Sequence, residues 1–289
     1  MRTIVIEPTF EAWRGRAREL LLEGVPPEQV LWSDEAEEPC LFGAEPAPSS
    51  PRPLALAGPS LKVSSAFMDL ARTTAAHTAA SRWGALYRLL WRQTRGGEPH
   101  VLALATDPDV RQIQGWAGAV RRDIHKMHAF VRFRLADTDE TTGREYFVAW
   151  FEPDYRIVPL ATPFFKKRFA SMDWSILTPH ACAHWNGTHL HFTPGQPHNP
   201  IVKEDTLDPL WRTYFRSIFN PARLKVQAMQ SEMPKKYWKN LPEASLIQEL
   251  IATSQSRMQE MLDTEARPAR PAPRNAYLES LRQRPTPES

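Results

Sequence analysis

The sequence predicts an α+β fold, with a small antiparallel sheet covered by helices and a short strand–helix–strand unit ahead of it. Three observations carry this expectation. Apolar residues recur at alternating three and four through 108–127. Two nearby stretches, 128–135 and 144–151, alternate with period two. An Asn-Gly pair sits at the centre of a strand-like stretch, "HACAHWNGTHLHF" at 180–192. Helical and extended segments each carry their own hydrophobic period, and the two are interleaved along the chain.

Taken in order, residues 3–32 read as a strand "TIVIEP", an amphipathic helix capped by Thr9, and a strand "QVLW". From Ser33 to Ser60 the chain turns acidic and then rich in Pro, Ala and Ser, which reads as a linker. Residues 64–95 read as helical, with Leu86, Leu89 and Leu90 on one stripe and Trp83, Tyr87 and Trp91 at four-residue spacing. Asp107-Pro108 supplies a cap and an N1 proline for a helix reaching Met127. "HAFVRFRL" then places Ala129, Val131 and Phe133 inward and Arg132 and Arg134 outward, paired with "REYFVAWF". Thr162-Pro163 reads as the start of a short helix before the hairpin, and Asn220-Pro221, Pro234 and Pro242 each open a later one.

This gives three segments: a 1–60 N-terminal unit with its linker, a 61–265 α+β core, and a 266–289 tail too rich in Pro and Arg to bury a core of its own. Charge follows the segments. Residues 1–60 hold 5 Lys/Arg against 10 Asp/Glu, whereas 212–240 hold 7 Lys/Arg and one acid, Glu232. Two cysteines, Cys40 and Cys182, give no disulfide framework and cannot hold a four-cysteine cluster. No apolar run approaches the roughly 20 residues of a membrane span, and Met1–Trp13 lacks a signal pattern, so a cytoplasmic protein with no membrane partner is expected. Walker-type, dinucleotide-binding and Gly-x-Ser-x-Gly motifs are absent.

In the hairpin, a two-residue type I′ turn on Asn186-Gly187 sets Trp185 opposite Thr188, His184 opposite His189 and Cys182 opposite His191. His180, Cys182, His184, His189 and His191 then share one face, and Ala181, Ala183, Trp185, Leu190 and Phe192 the buried one. Cys182, His184, His189 and His191 are the residues that could reach one zinc ion, and they define the alternative reading of a metal-dependent nucleic-acid-processing enzyme. The hairpin itself supplies no carboxylate to fix a coordinating imidazole, so the expectation is a protein without metal or other cofactor.

Phosphates are held by cations, and unstacked bases by aromatic rings. "PKKYWKN" offers both, with Lys235, Lys236 and Lys239 beside Tyr237 and Trp238. Arg223 and Lys225 lie shortly upstream, and Arg132 and Arg134 lie on the outward side of their expected strand. These nine residues form the expected nucleic-acid site, with single-stranded or damaged DNA as the partner.

The stretches "RRDIHKMHAFVRFR", "YFVAWFEPDYRIVPLATPFFKKRFASMDWSILTP" and "FNPARLKVQAMQSEMPKKYWKNLPEA" together resemble a bacterial family of DNA-metabolism or DNA-repair proteins. Its members are found beside a radical-SAM partner, or as the N-terminal module of fusions to an iron–sulfur uracil-DNA glycosylase-like domain. The resemblance covers roughly residues 1–264. It implies a DNA-binding accessory acting with a separately encoded enzyme, of radical-SAM or glycosylase type, and it supplies no catalytic residues. The chain lacks the cysteines and the length for the glycosylase half.

Overall fold

A computed structural model of the protein describes residues 1–34, 63–141, 143–197 and 233–241, with isolated helical positions as far as Asp263. Residues 35–60 of the expected linker, the helix opened by Asn220-Pro221 and the 266–289 tail lie outside the described residues, while Ser33 and Asp34, expected to open that linker, belong to the second strand. The fold is α+β, as its interleaved periods require. Strand β1 (Arg2–Ile6), helix α1 (Phe10–Glu23) and strand β2 (Val30–Asp34) come first, with β1 and β2 paired in parallel. Helices α2 (Ser65–Ala75), α3 (Arg82–Thr94) and α4 (Pro108–Phe130) follow. Strands β3 (Arg134–Thr138), β4 (Glu145–Trp150), β5 (Asp173–Leu177), β6 (Ala181–Asn186) and β7 (Leu190–Pro194) form a second sheet in that order, with helix α5 (Val158–Arg168) between β4 and β5.

Among the described residues two apolar cores form, and α4 is the wall they share. Val110, Ile113 and Ala117 of α4 enter the first core, built on Trp13, Trp32, Phe67, Trp83 and Tyr87. One turn further on, Val120 and Met127 enter the second, where α4 and α5 cover the sheet through Ala149, Phe165, Trp174, Ile176 and Trp185. The three-and-four spacing makes this sharing possible, because one stripe along a 23-residue helix can serve two neighbours in turn. The first core thus runs unbroken from the N-terminal strands into α4.

Four expectations need correction. The second sheet is mixed, because β4 and β5 run parallel: α5 returns the chain to the same end of the sheet before β5 begins. The apolar spacing of α4 continues through Met127 and Val131, so the helix extends over "HAF" and β3 starts only at Arg134. Helix α5 starts at Val158, ahead of Thr162-Pro163. Thr162 is buried inside it with its hydroxyl donating to the Val158 carbonyl at 2.5 Å, and Pro163 lies within the helix. The 64–95 stretch is two helices, and the turn between them is held by the His77 ring accepting from the Ala79 N–H at 3.0 Å.

A buried polar knot ties these parts together. Asp34, at the end of β2, accepts two bonds from Arg82 Nη2 at 3.0 and 2.8 Å and one from Trp83 Nε1 at 2.5 Å. Arg156, before α5, reaches the same carboxylate at 3.4 Å. Burial alone would raise the Asp34 carboxyl, but these donors outweigh it and hold it below the ordinary range.

Candidate nucleic-acid interface

The expected basic–aromatic site does not assemble as a stacking surface. "KKYWKN" forms a 3-10 helix, Lys235–Asn240, whose tyrosine faces inward. Tyr237 is 2% exposed and lies between Phe130 and Phe151, at centroid distances of 5.4 and 5.0 Å. Its hydroxyl donates to Asp123 Oδ1 at 3.3 Å, while Asp123 Oδ2 accepts from the backbone N–H groups of Asp154 and Tyr155. Burial pushes both the Asp123 carboxyl and the Tyr237 phenol upward. Trp238 is half-buried, its indole donating to the Met233 carbonyl at 3.0 Å. Lys236 pairs with Asp154 at 2.6 Å, and Lys235 is exposed.

The remaining members scatter. Arg132 lies in the bend after α4, where it donates to the carbonyls of Ala129 and Val131 at 2.7 and 3.3 Å. Arg134 opens β3 opposite Val148. Arg223, Lys225 and the Lys239 side chain lie outside the described residues.

The hairpin forms with its loop moved by one residue. Gly187, at φ 84°, and Thr188 make the two-residue connection, and Asn186 keeps negative φ. Glycine at the first central position suits a type II′ turn. The Asn186 Oδ1 atom accepts from the N–H groups of Thr188 and His189 at 3.1 and 2.7 Å, a local bond that competes with the expected I′ geometry. His184 therefore faces His191, and Cys182 faces Thr193. Each strand shifts by one, so the alternation of faces is kept, but Phe192, expected on the buried side, is exposed because it lies on the edge strand β7. Trp185 stays buried, donating to the Ala170 carbonyl at 3.1 Å.

This register settles what the imidazole face does within the described residues. A polar chain crosses the sheet from Tyr146 on β4 to Ser175 on β5, His184 on β6 and Thr193 on β7. Tyr146 and Ser175 share a short hydrogen bond. His184 Nδ1 lies 2.5 Å from Ser175 Oγ and its Nε2 lies 2.9 Å from Thr193 Oγ1, so both ring nitrogens are engaged. The His191 ring stacks on it at 4.9 Å. Burial, with a contribution from His191, lowers the His184 pKa and favours the neutral ring. Cys182 is fully buried, its thiol towards the Thr178 carbonyl. Among the described residues, no group of three His, Cys, Asp or Glu converges as a metal site.

Cations converge elsewhere. Residues 110–136 contain one acid, the buried Asp123, and residues 155–172 contain none. Helix α4 exposes Arg121, His125 and Arg122, with Lys126 half-buried beside them. On the flank towards α5, His128 stacks on Phe164 at 4.2 Å and its Nε2–H donates to the Ala161 carbonyl at 3.0 Å. Phe164 is 40% exposed, and Lys167 and Arg168 follow it at i+3 and i+4 on the same side of α5. On the other flank, the stack of Phe130 on Tyr237 brings Lys235 and Lys236 beside α4. Lys166 turns away, its ammonium 4.8 Å above the Trp185 ring. The result is a basic surface with α4 as its spine, α5 along one side and the 3-10 helix along the other.

Five of these cations, Arg121, Arg122, Lys126, Lys167 and Arg168, are absent from the expected site. Their sequence signal is the scarcity of acids in two separate segments, each of which alone reads as a helix end favouring positive charge. Only the α4–α5 contact makes them one surface.

A family model described as a domain of unknown function, DUF4130, matches residues 80–243. No curated protein and no solved structure matches the chain. Among the described residues no helix is long and apolar enough to cross a membrane. With more than half of its length matched from α3 to the 3-10 helix, the chain belongs to the DUF4130 family.

Proposed function

We propose that this protein is a cytoplasmic DNA-binding accessory of a DNA-repair or DNA-metabolism system, working without a metal alongside a separately encoded enzyme. The observation that carries this reading is the α4–α5 surface, where Arg121, Arg122, Lys126, Lys167 and Arg168 gather with one exposed ring, Phe164, and no exposed acid on either helix segment. Cations at this density attract polyphosphate, and an exposed aromatic can stack an unpaired base. The resemblance to DNA-repair proteins supports DNA as the polyanion, single-stranded or damaged, and a radical-SAM or glycosylase-like enzyme as the partner.

Binding of single-stranded and duplex oligonucleotides, followed by fluorescence anisotropy from low to physiological salt, tests the reading. Each neutralised phosphate contributes about −0.7 to the log–log slope for single strands and about −0.9 for duplex. Replacing Arg121, Arg122, Lys167 and Arg168 with Ala should weaken binding and flatten the slope by about 3 for single strands. Replacing Lys235 alone should flatten it by no more than about 0.7. Affinity that ignores salt in the wild-type protein would refute DNA binding by this surface.

A further inference from the structure

A second feature lies one helical turn from this surface. A cleft of about 490 Å³ opens between the β1–α1 turn, the end of α2, the start of α5 and the start of β6. It sits where the two apolar cores meet, and its size falls within the usual range of small-molecule sites. Leu160 lines the cleft and precedes the exposed Phe164 by one turn of α5.

The charges of the cleft are arranged in an unusual way. One cation of the cleft is Arg156, whose Asp34 partner is already bound bidentately by Arg82 and singly by Trp83. Two guanidiniums on one carboxylate leave a positive charge at the edge of the buried knot, with His180 beside it. The cleft is also lined by Phe10, with the Arg72 guanidinium 5.2 Å from its ring centroid, and by two acids, Glu7 and Glu11. Other parts of the wall are small and apolar, at Ala75, Ala76 and Val158.

An anion alone would suit Arg156 but would leave Glu7 and Glu11 facing like charge. A ligand that satisfies both kinds of charge carries an anionic group, a flat apolar body and hydrogen-bond donors. We infer that the cleft binds one nucleoside monophosphate unit, its phosphate at Arg156 and an amino-bearing base between the apolar walls, with the exocyclic amino group towards Glu7 and Glu11. The Arg72 guanidinium, which covers the buried Phe10 ring, can offer its outer face to a base, since guanidinium planes stack on nucleobases. The inference deepens the DNA-binding reading by giving one nucleotide of the strand a place to leave the stack. The cost of unstacking is least for a single-stranded or damaged site.

Calorimetric titration of the full chain with dAMP, dCMP, dGMP, dTMP and inorganic phosphate tests this. The amino-bearing nucleotides should bind saturably and at least threefold more tightly than dTMP, and phosphate should bind at least tenfold more weakly. Arg156→Met should weaken dCMP binding at least tenfold, with Asp34 still held by Arg82 and Trp83. Arg72→Ala, at a half-exposed side chain, should weaken it at least threefold even if Arg156→Met proves poorly folded. Leu160→Trp, which fills the cleft, should also weaken a single-stranded oligonucleotide if the unit belongs to DNA, without changing the salt slope. Unchanged oligonucleotide affinity with lost dCMP binding would instead assign the site to free nucleotides. Absence of saturable nucleotide binding, phosphate binding as tightly as dCMP, or wild-type nucleotide affinity in both Arg72→Ala and Leu160→Trp would overturn the inference. Loss of the salt dependence alone would overturn only DNA binding by the basic surface.

Discussion

The ring of Tyr237 lies nearly flat on that of Phe151, with centroids 5.0 Å apart and planes 13° from parallel. This contact places the aromatic member of the most basic motif inside the protein, where it closes the second core beneath Phe130. Tyr237→Ala is expected to cost about 3–5 kcal/mol, the range for truncating a buried aromatic. Tyr237→Phe should cost about 1–3 kcal/mol, because the buried Asp123 carboxylate loses a donor while the packing stays. Urea unfolding measures both. A Tyr237→Ala protein of wild-type stability that binds single strands poorly would return this residue to a stacking role.

The hairpin register makes a separate forecast. Gly187→Ala forces a side chain into positive φ and should cost about 1–2 kcal/mol. Asn186→Ala removes the acceptor of two loop N–H groups and should cost about 1 kcal/mol. Cross-strand NMR contacts should link His184 to His191. Contacts from His184 to His189 as its direct opposite would restore the I′ turn on Asn186-Gly187.

Stability should fall as pH drops through the histidine range. His77, His128, His180 and His184 all have pKa values lowered from 6.5, in each case chiefly by burial. As pH falls through 6.5 the unfolded rings take up protons first, so the unfolded state binds more protons and stability decreases. The loss continues until pH reaches the lowered folded values. Asp123 acts in the opposite sense, since its raised carboxyl takes a proton in the folded state before the unfolded one. With four groups against one, denaturant midpoints measured at pH 8 and pH 5.5 should show a clear loss at the lower value. Equal midpoints would mean that these rings are solvated in the folded protein.

The Asp34–Arg82 pair should be sensitive to loss of either member. Arg82 is fully buried, and Asp34→Ala strands its charge, an outcome that typically costs about 3–5 kcal/mol. Arg156→Ala, by contrast, leaves the Arg82 and Trp83 bonds in place and should cost no more than about 1 kcal/mol. Thermal melts of the two variants compare them directly, and a stable Asp34→Ala protein would show that the knot is not needed for folding.

What the sequence by itself determined is local. Asp107-Pro108 starts α4, with the Asp107 carboxylate accepting from the N–H groups of Asp109 and Val110, and Thr9 caps α1. The alternation of 180–192 placed Trp185 inside and the histidines on the opposite face, because side-chain direction depends on the strand's own period and survives a change of partner. Tertiary structure decided everything that depends on who the neighbour is. Val131 ended up continuing the packing stripe of α4, since the second core rewards another apolar residue at four-residue spacing more than an early strand. Tyr237 went inward because Phe130 and Phe151 left a slot that a ring fills, and no pattern within "PKKYWKN" could show that slot. Arg121 and Arg122 joined Lys167 and Arg168 through the stacking of His128 on Phe164, a contact between residues 36 positions apart. A charged surface is a sum over space, and the chain reveals it only when folding brings its separate segments side by side.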